Sequence, residues 1–142
     1  MVNREYLVEQ LLLLEEYVQR SRELAGESRE SFLANILFVD ATIRRLTVLF
    51  ETAHNIAKHV IAESAWEAPE SKAHSFEILA HRGFIPMELR DAFREAARFR
   101  NLATYQTTRL DNGVVYDILV GHLTDFEAFA RHVARALDSS AL

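Results

Sequence analysis

FLANILFVDATIRRLTVLFETAHNIAKHV, residues 32 to 60, decides the fold. Phe32, Ile36, Val39, Ile43, Leu46, Phe50, Ala53, Ala57 and Val60 alternate four and three residues apart without a break. That is the spacing of one helix face, and a strand, with its two-residue period, cannot carry it. The spacing predicts one helix of roughly thirty residues, about 45 Å long at 1.5 Å per residue. Leu33, Leu37, Leu49 and Ile56 add apolar surface off the main line. A long helix with more than one apolar face is expected to meet both its own bundle and a second subunit.

Working outward, Asn3 to Leu24 reads as a first helix, with Asn3 as N-cap and Gly26 as stop. Its buried stripe is Leu7, Leu11, Leu14 and Val18. SAWEAPESKAHSF is a loop leading to a short helix, SFEILAHRG, stopped by Gly83. Pro86 suits the first turn of the next helix, PMELRDAFREAARFRNLA, where Leu89, Phe93, Ala96 and Ala103 form a core stripe. LDNG breaks that helix. The last helix carries Val115, Leu119, Phe126, Phe129, Val133 and Leu137 on one face, and Arg131, His132 and Arg135 suit its negative end. The expected fold is all-α: an antiparallel four-helix bundle with one additional short helix, residues 1–142 forming a single domain.

Composition agrees. The 142 residues suffice for one core, and four glycines with two prolines leave little for the tight turns of a sheet protein. With no cysteine, disulfides and thiolate chemistry are out, which fits a cytoplasmic protein. MVNREYLVEQLLLLEE lacks the pattern of a signal peptide, and LLLL is far short of the about 20 apolar residues that span a bilayer. Net charge is −5, so any RNA contact has to come from local arginines.

Few chemical motifs are present. Glu51 and His54 form one ExxH, the spacing used by di-iron bundles, but no second ExxH accompanies it. A surface pair on a helix is the better reading, and no metal or other cofactor is expected. His54 and His59, five apart, point to different sides. His122 falls on the stripe between Leu119 and Phe126 as a hydrogen-bonded core residue, while His74 and His81 carry no ligand spacing. Arg90, Arg94 and Arg98 form a row interleaved with Asp91 and Glu95, a solvated, salt-bridged face before it is a phosphate site.

RFRNLATYQTT, residues 98 to 108, is different. Arg100 lies at the edge of the apolar stripe, off the Arg90–Arg98 row, and a guanidinium held there needs a carboxylate, carbonyl or phosphate. Asn101 and Tyr105 can add hydrogen bonds, and the β-branched threonines weaken the helix after Ala103. The segment fits either a structural arginine closing a helix end or a phosphate-binding site.

AHNIAKHVIAES, then SFEILAHRGFIPMELRDAFREAARFRN, then VVYDILVGHLTDFEAFARHV, taken in this order and spacing, resemble the HEPN superfamily and specifically its HepT-like branch. The resemblance covers nearly the whole chain. It implies a helical homodimer, a metal-independent endoribonuclease, and the toxin half of a toxin–antitoxin pair whose antitoxin is a minimal nucleotidyltransferase. The family motif is Arg-Asn, three residues, His, one residue, Tyr. Arg100 and Asn101 match it; the histidine falls on Tyr105, the tyrosine on Thr107, and an acid of the second helix on Asn55.

Metal-free RNA cleavage needs a proton taken from the 2′-hydroxyl, a stabilised phosphate and a protonated leaving oxygen. Arginine suits the phosphate. Histidine titrates near 6.5, whereas a tyrosine near 10 is ionised in roughly one molecule per thousand at pH 7. The resemblance therefore implies Arg100 on phosphate, Asn101 orienting the site, Tyr105 in the histidine's place, and weak or absent cleavage. It also implies nucleotidyl transfer at the position of Thr107, with Tyr105 as the nearby alternative. A non-catalytic module that holds a nucleotidyltransferase or RNA would tolerate the same changes.

Overall fold

A computed structural model describes residues 3–139. Six α-helices follow one another: α1 (Arg4–Ala25), α2 (Arg29–Ala34), α3 (Ile36–Glu63), α4 (Lys72–His81), α5 (Met87–Tyr105) and α6 (Asn112–Asp138), with a 3-10 turn at Thr107–Arg109. No strand occurs among the described residues. The all-helical fold predicted above is the one observed.

The single long second helix is corrected. Asn35 leaves the helical region (φ −121°, ψ 101°), and its side chain accepts the backbone N–H of Leu37. An Asn that caps a new helix in this way satisfies a donor that a helix start leaves orphaned. The apolar period runs through this elbow unchanged, so spacing alone does not reveal it. Ile36, expected in the core stripe, is exposed instead, whereas Leu49 and Ile56, expected off the main line, are fully buried.

The other helix starts, α5 excepted, are capped by side chains. Asn3 accepts from Tyr6, Ser28 from Ser31, Ser71 from His74, and Asp111 from both Gly113 and Val114. Pro86 stands just before α5 as its N-cap, one position earlier than a first-turn residue. Gly83 closes the turn after α4 at φ +75°, a left-handed conformation in which a side chain is strained.

α1 runs antiparallel to α3: the Asn3 amide donates to His59 at one end, and Arg45 donates to the Arg20 carbonyl at the other. It is antiparallel to α6 as well, through Arg4 on the Leu137 carbonyl and Arg22 on Glu127. α4 and α5 close the remaining side of α3. Between them lies an aromatic cluster: Phe76 and Phe93 stack at 4.2 Å, and Phe126 and Phe129 meet Phe93 edge-on at 5.4 and 5.1 Å. On α5 the buried positions are Leu89, Phe93, Ala97 and Phe99; the expected Ala96 and Ala103 are only partly covered. The stripe is shifted because Phe99 turns inward, which leaves Arg100, the next residue, at the rim.

Candidate functional site

α5 ends at Tyr105, earlier than LDNG, where Gln106 leaves the helix and the 3-10 turn begins. β-Branched threonines at 104, 107 and 108 disfavour another helical turn. The last two turns of α5 thereby present Arg100 and Tyr105 beside the middle of α3.

The acceptor that Arg100 requires is Glu51. Its Nε donates to Oε1 at 2.6 Å, and the Lys72 ammonium reaches the same carboxylate at 2.9 and 3.1 Å. The Arg100 guanidinium lies 5.8 Å from the centre of the Tyr105 ring. Burial opposes the charges of this cluster, but their pairing outweighs it. Glu51 is held below the usual carboxylate range by the hydrogen bonds and charges of Lys72 and Arg100. Arg100 is raised above the ordinary arginine value by Tyr105 and Glu51. One carboxylate faces two cations, so the cluster keeps a net positive charge. The Arg100 side chain is 17% exposed and Tyr105 is 73% exposed, so solvent reaches both.

The remaining expected site residues are spread around this pair. Asn101 is exposed on the neighbouring face of α5. Asn55 does not meet Arg100; it sits one turn after Glu51 on α3, with its amide 3.5 Å from Gln10 of α1. The side chain of Thr107 lies outside the described residues. Glu51 is the residue that spacing does not reveal. The ExxH pattern ties it to His54, whereas its partners lie 21 and 49 positions away.

His54 is corrected too. It is buried, not on the surface, stacked on Phe50 and tilted against Phe76, with Nε2 3.4 Å from the Ser75 hydroxyl. Burial, aided by the charges of Lys58 and Lys72, pushes its pKa down to about 4. It is neutral at pH 7 and cannot serve there as a proton donor. Among the described residues no three His, Asp or Glu side chains converge as metal ligands.

The arginine row behaves as a salt-bridged face: Arg90 pairs with Asp91, and Arg94 with Glu77 and Asp91. Glu95 turns instead to His122, which Asp125 also holds at 2.8 Å, so His122 is hydrogen-bonded between α5 and α6. No helix among the described residues is long and apolar enough to cross a membrane.

Comparison with known proteins agrees with this architecture. The family model described as Ribonuclease HepT-like matches residues 14–133. The mRNA nuclease HepT of Shewanella oneidensis is 24% identical over 123 residues, 87% of this chain and 92% of that protein. The tri-AMPylated Shewanella oneidensis HEPN toxin, solved in complex with MNT antitoxin, superposes with a TM-score of 0.86 at 22% identity, over 94% of this chain and 99% of that one. The Bacillus subtilis cytosolic protein YutE, of unknown function, superposes with a TM-score of 0.85 at 17% identity, over 98% and 93% of the two chains.

Proposed function

The chain belongs to the HepT-like ribonuclease family, and on that premise we propose that it is the toxin-side member of a cytoplasmic toxin–antitoxin pair with a degenerate RNA-cleaving site. A relative matched over 92% of its length is an mRNA nuclease, and a structural neighbour is a toxin bound to an MNT antitoxin. A minimal nucleotidyltransferase is accordingly the partner of this chain, and two copies of it pair through apolar surface that one copy leaves exposed.

The observation that carries this reading is the Arg100–Tyr105 pair at the open end of α5, braced by Glu51. Arg100 binds a phosphate of RNA, Asn101 orients it, and Tyr105 occupies the place where the family keeps its histidine. A phenol can donate a proton to a leaving oxygen but is a poor base at neutral pH. His54, neutral and enclosed, does not replace the missing imidazole. Cleavage is therefore feeble or absent. The exposed phenol of Tyr105 is open to nucleotidyl transfer, while Thr107 stands at the family's acceptor position.

The test is cleavage of labelled RNA by the purified protein and by Tyr105→His. The expected result is little wild-type activity and a gain in Tyr105→His of up to the 10²–10⁴-fold that acid–base catalysis supplies. Robust wild-type cleavage, abolished by Arg100→Ala, overturns the degenerate-site reading.

A second reading, a non-catalytic module that holds the nucleotidyltransferase or RNA, is favoured by Glu51, which already occupies the Nε edge of Arg100. It predicts co-purification with a nucleotidyltransferase and no RNA cleavage even in Tyr105→His. If phosphate competes with Glu51 for Arg100, Glu51→Gln tightens RNA binding several-fold under either reading.

A further inference from the structure

α3 is the floor of a groove. Positions 51, 55 and 58 recur four and three apart, so Glu51, Asn55 and Lys58 share one face of the helix. α5 forms one wall there through Arg100, and α1 forms the other through Tyr6 and Gln10. On the α1 side lies a shallow, open hollow of about 350 Å³, lined by Asn3, Tyr6, Asn55, Lys58 and His59.

We propose that this hollow is a second nucleotide subsite, holding a base and phosphate of the same RNA strand that Arg100 engages. The inference rests on the RNA reading above. Tyr6 offers a ring, tilted at 47° on the His59 imidazole 5.0 Å away, against which a base can pack. His59 accepts the Asn3 backbone N–H through Nε2, which places the proton of the neutral ring on Nδ1 as a further donor. Asn55 carries both a donor and an acceptor, and its contact with Gln10 is long at 3.5 Å, so the amide retains capacity to read a base edge. Lys58 is exposed and makes no ion pair among the described residues, which leaves its ammonium for a phosphate.

Spacing fits the same ligand. Seven residues of helix separate Glu51 from Lys58, a rise of roughly 10 Å. A few stacked nucleotides at about 3.4 Å each cover that length. A positive point at either end of one groove, with an aromatic ring and an amide at one of them, suits a short stretch of single-stranded RNA better than a lone anion.

The experiment measures fluorescence anisotropy of a labelled 12-nucleotide single-stranded RNA, with a dinucleoside monophosphate as competitor that reaches only one subsite. Lys58→Ala is expected to weaken the 12-mer several-fold and to reduce the salt slope of log K by about 0.7, the share of one released counterion. Tyr6→Leu is expected to weaken it about tenfold. Both are expected to weaken the 12-mer by more than the dinucleotide, which is too short to engage the two subsites at once. Arg131→Ala, on the α1–α6 side of the bundle, controls for bulk charge and changes neither.

If Arg100→Gln abolishes 12-mer binding while Lys58→Ala and Tyr6→Leu bind like wild type, the subsite is refuted and the RNA reading stands. If wild type does not bind the 12-mer, both fail. A loss in Lys58→Ala matched by Arg131→Ala refutes the subsite, as does a change in sedimentation without a change in affinity, which marks the groove as a contact between copies. Tyr6 packs partly against the core, so should Tyr6→Leu not fold, the exposed Lys58→Ala carries the test.

Discussion

The two ends of the segment from α2 through α3 carry the same apolar period and live in opposite surroundings. Past the middle of α3, Leu49, Phe50, Ala53, Ile56, Ala57 and Val60 are all at most 1% exposed. Around the Asn35 elbow, Leu33, Ile36 and Leu37 are 40, 59 and 72% exposed. Spacing determines which side chains share a face; neighbours determine whether that face is covered. α1, α4, α5 and α6 all pack against α3, and α2 packs on α6 through the buried Phe32 against Tyr116, so only the outer side of the elbow is left open. Apolar area contributes roughly 25 cal/mol per Å² only once water is removed from it, so Leu33, Ile36 and Leu37 add little to the stability of one copy, whereas the buried Phe32 beside them contributes fully.

The largest effect should come from the covered end and what packs on it. Phe93 stacks on Phe76 and meets Phe126 and Phe129, with 1% of its surface exposed. Phe93→Ala removes those contacts and leaves a cavity, which typically costs about 3–5 kcal/mol. Chemical denaturation should show the unfolding free energy fall by that amount, with the midpoint lowered accordingly. A loss below about 1 kcal/mol would mean that the aromatic cluster repacks and that covered and uncovered positions differ less than their exposures indicate.

A smaller effect should appear with pH at His54, on the covered face of α3. Its folded pKa of about 4 lies below the ordinary 6.5, because burial excludes the charged ring. Above pH 6.5 the imidazole is neutral in both states and contributes no pH dependence. As pH falls from 6.5 toward 4, the unfolded chain takes up a proton that the folded one refuses, so stability drops. At about 1.4 kcal/mol per unit, the full separation is about 3 kcal/mol. Glu51, held below its usual value by Lys72 and Arg100, loses stability in the same direction at lower pH, as the carboxylate protonates. Urea midpoints at pH 7 and pH 4.5 should differ in the wild type and converge in His54→Gln. Equal pH dependence in the two proteins would move the acid sensitivity away from α3.

The helices themselves were legible in the sequence because they depend on local order: the α1 stripe, the Gly83 stop and the α6 face all follow from residues within a few turns of one another. What escaped depends on distance along the chain or on a single side chain. Asn35 interrupts the helix through one capping hydrogen bond while the apolar spacing continues past it. Glu51 was paired by proximity with His54, yet the fold gives it to Arg100 and Lys72 and seals His54 behind Phe50 and Phe76. Position along the stripe marks Arg100 as a guanidinium in need of an acceptor. The identity of that acceptor is a tertiary fact that no local spacing encodes.

The smallest effect on the folding of one copy, and the sharpest test of the elbow, belongs to Leu37. At 72% exposure it loses almost nothing to water on unfolding, so Leu37→Ser should change the stability of an isolated copy by no more than about 0.5 kcal/mol. Self-association should respond differently if two copies meet here, since a hydroxyl placed at the centre of an apolar contact is desolvated without a partner. Sedimentation at micromolar concentration should then show a wild-type dimer and a Leu37→Ser species shifted toward monomer, each with the same helical content. A wild-type monomer at that concentration removes the second copy as the cover for the elbow. A Leu37→Ser dimer as tight as wild type places the contact elsewhere, and the exposed side chains of Leu33, Ile36 and Leu37 would then need an occupant other than their own counterparts.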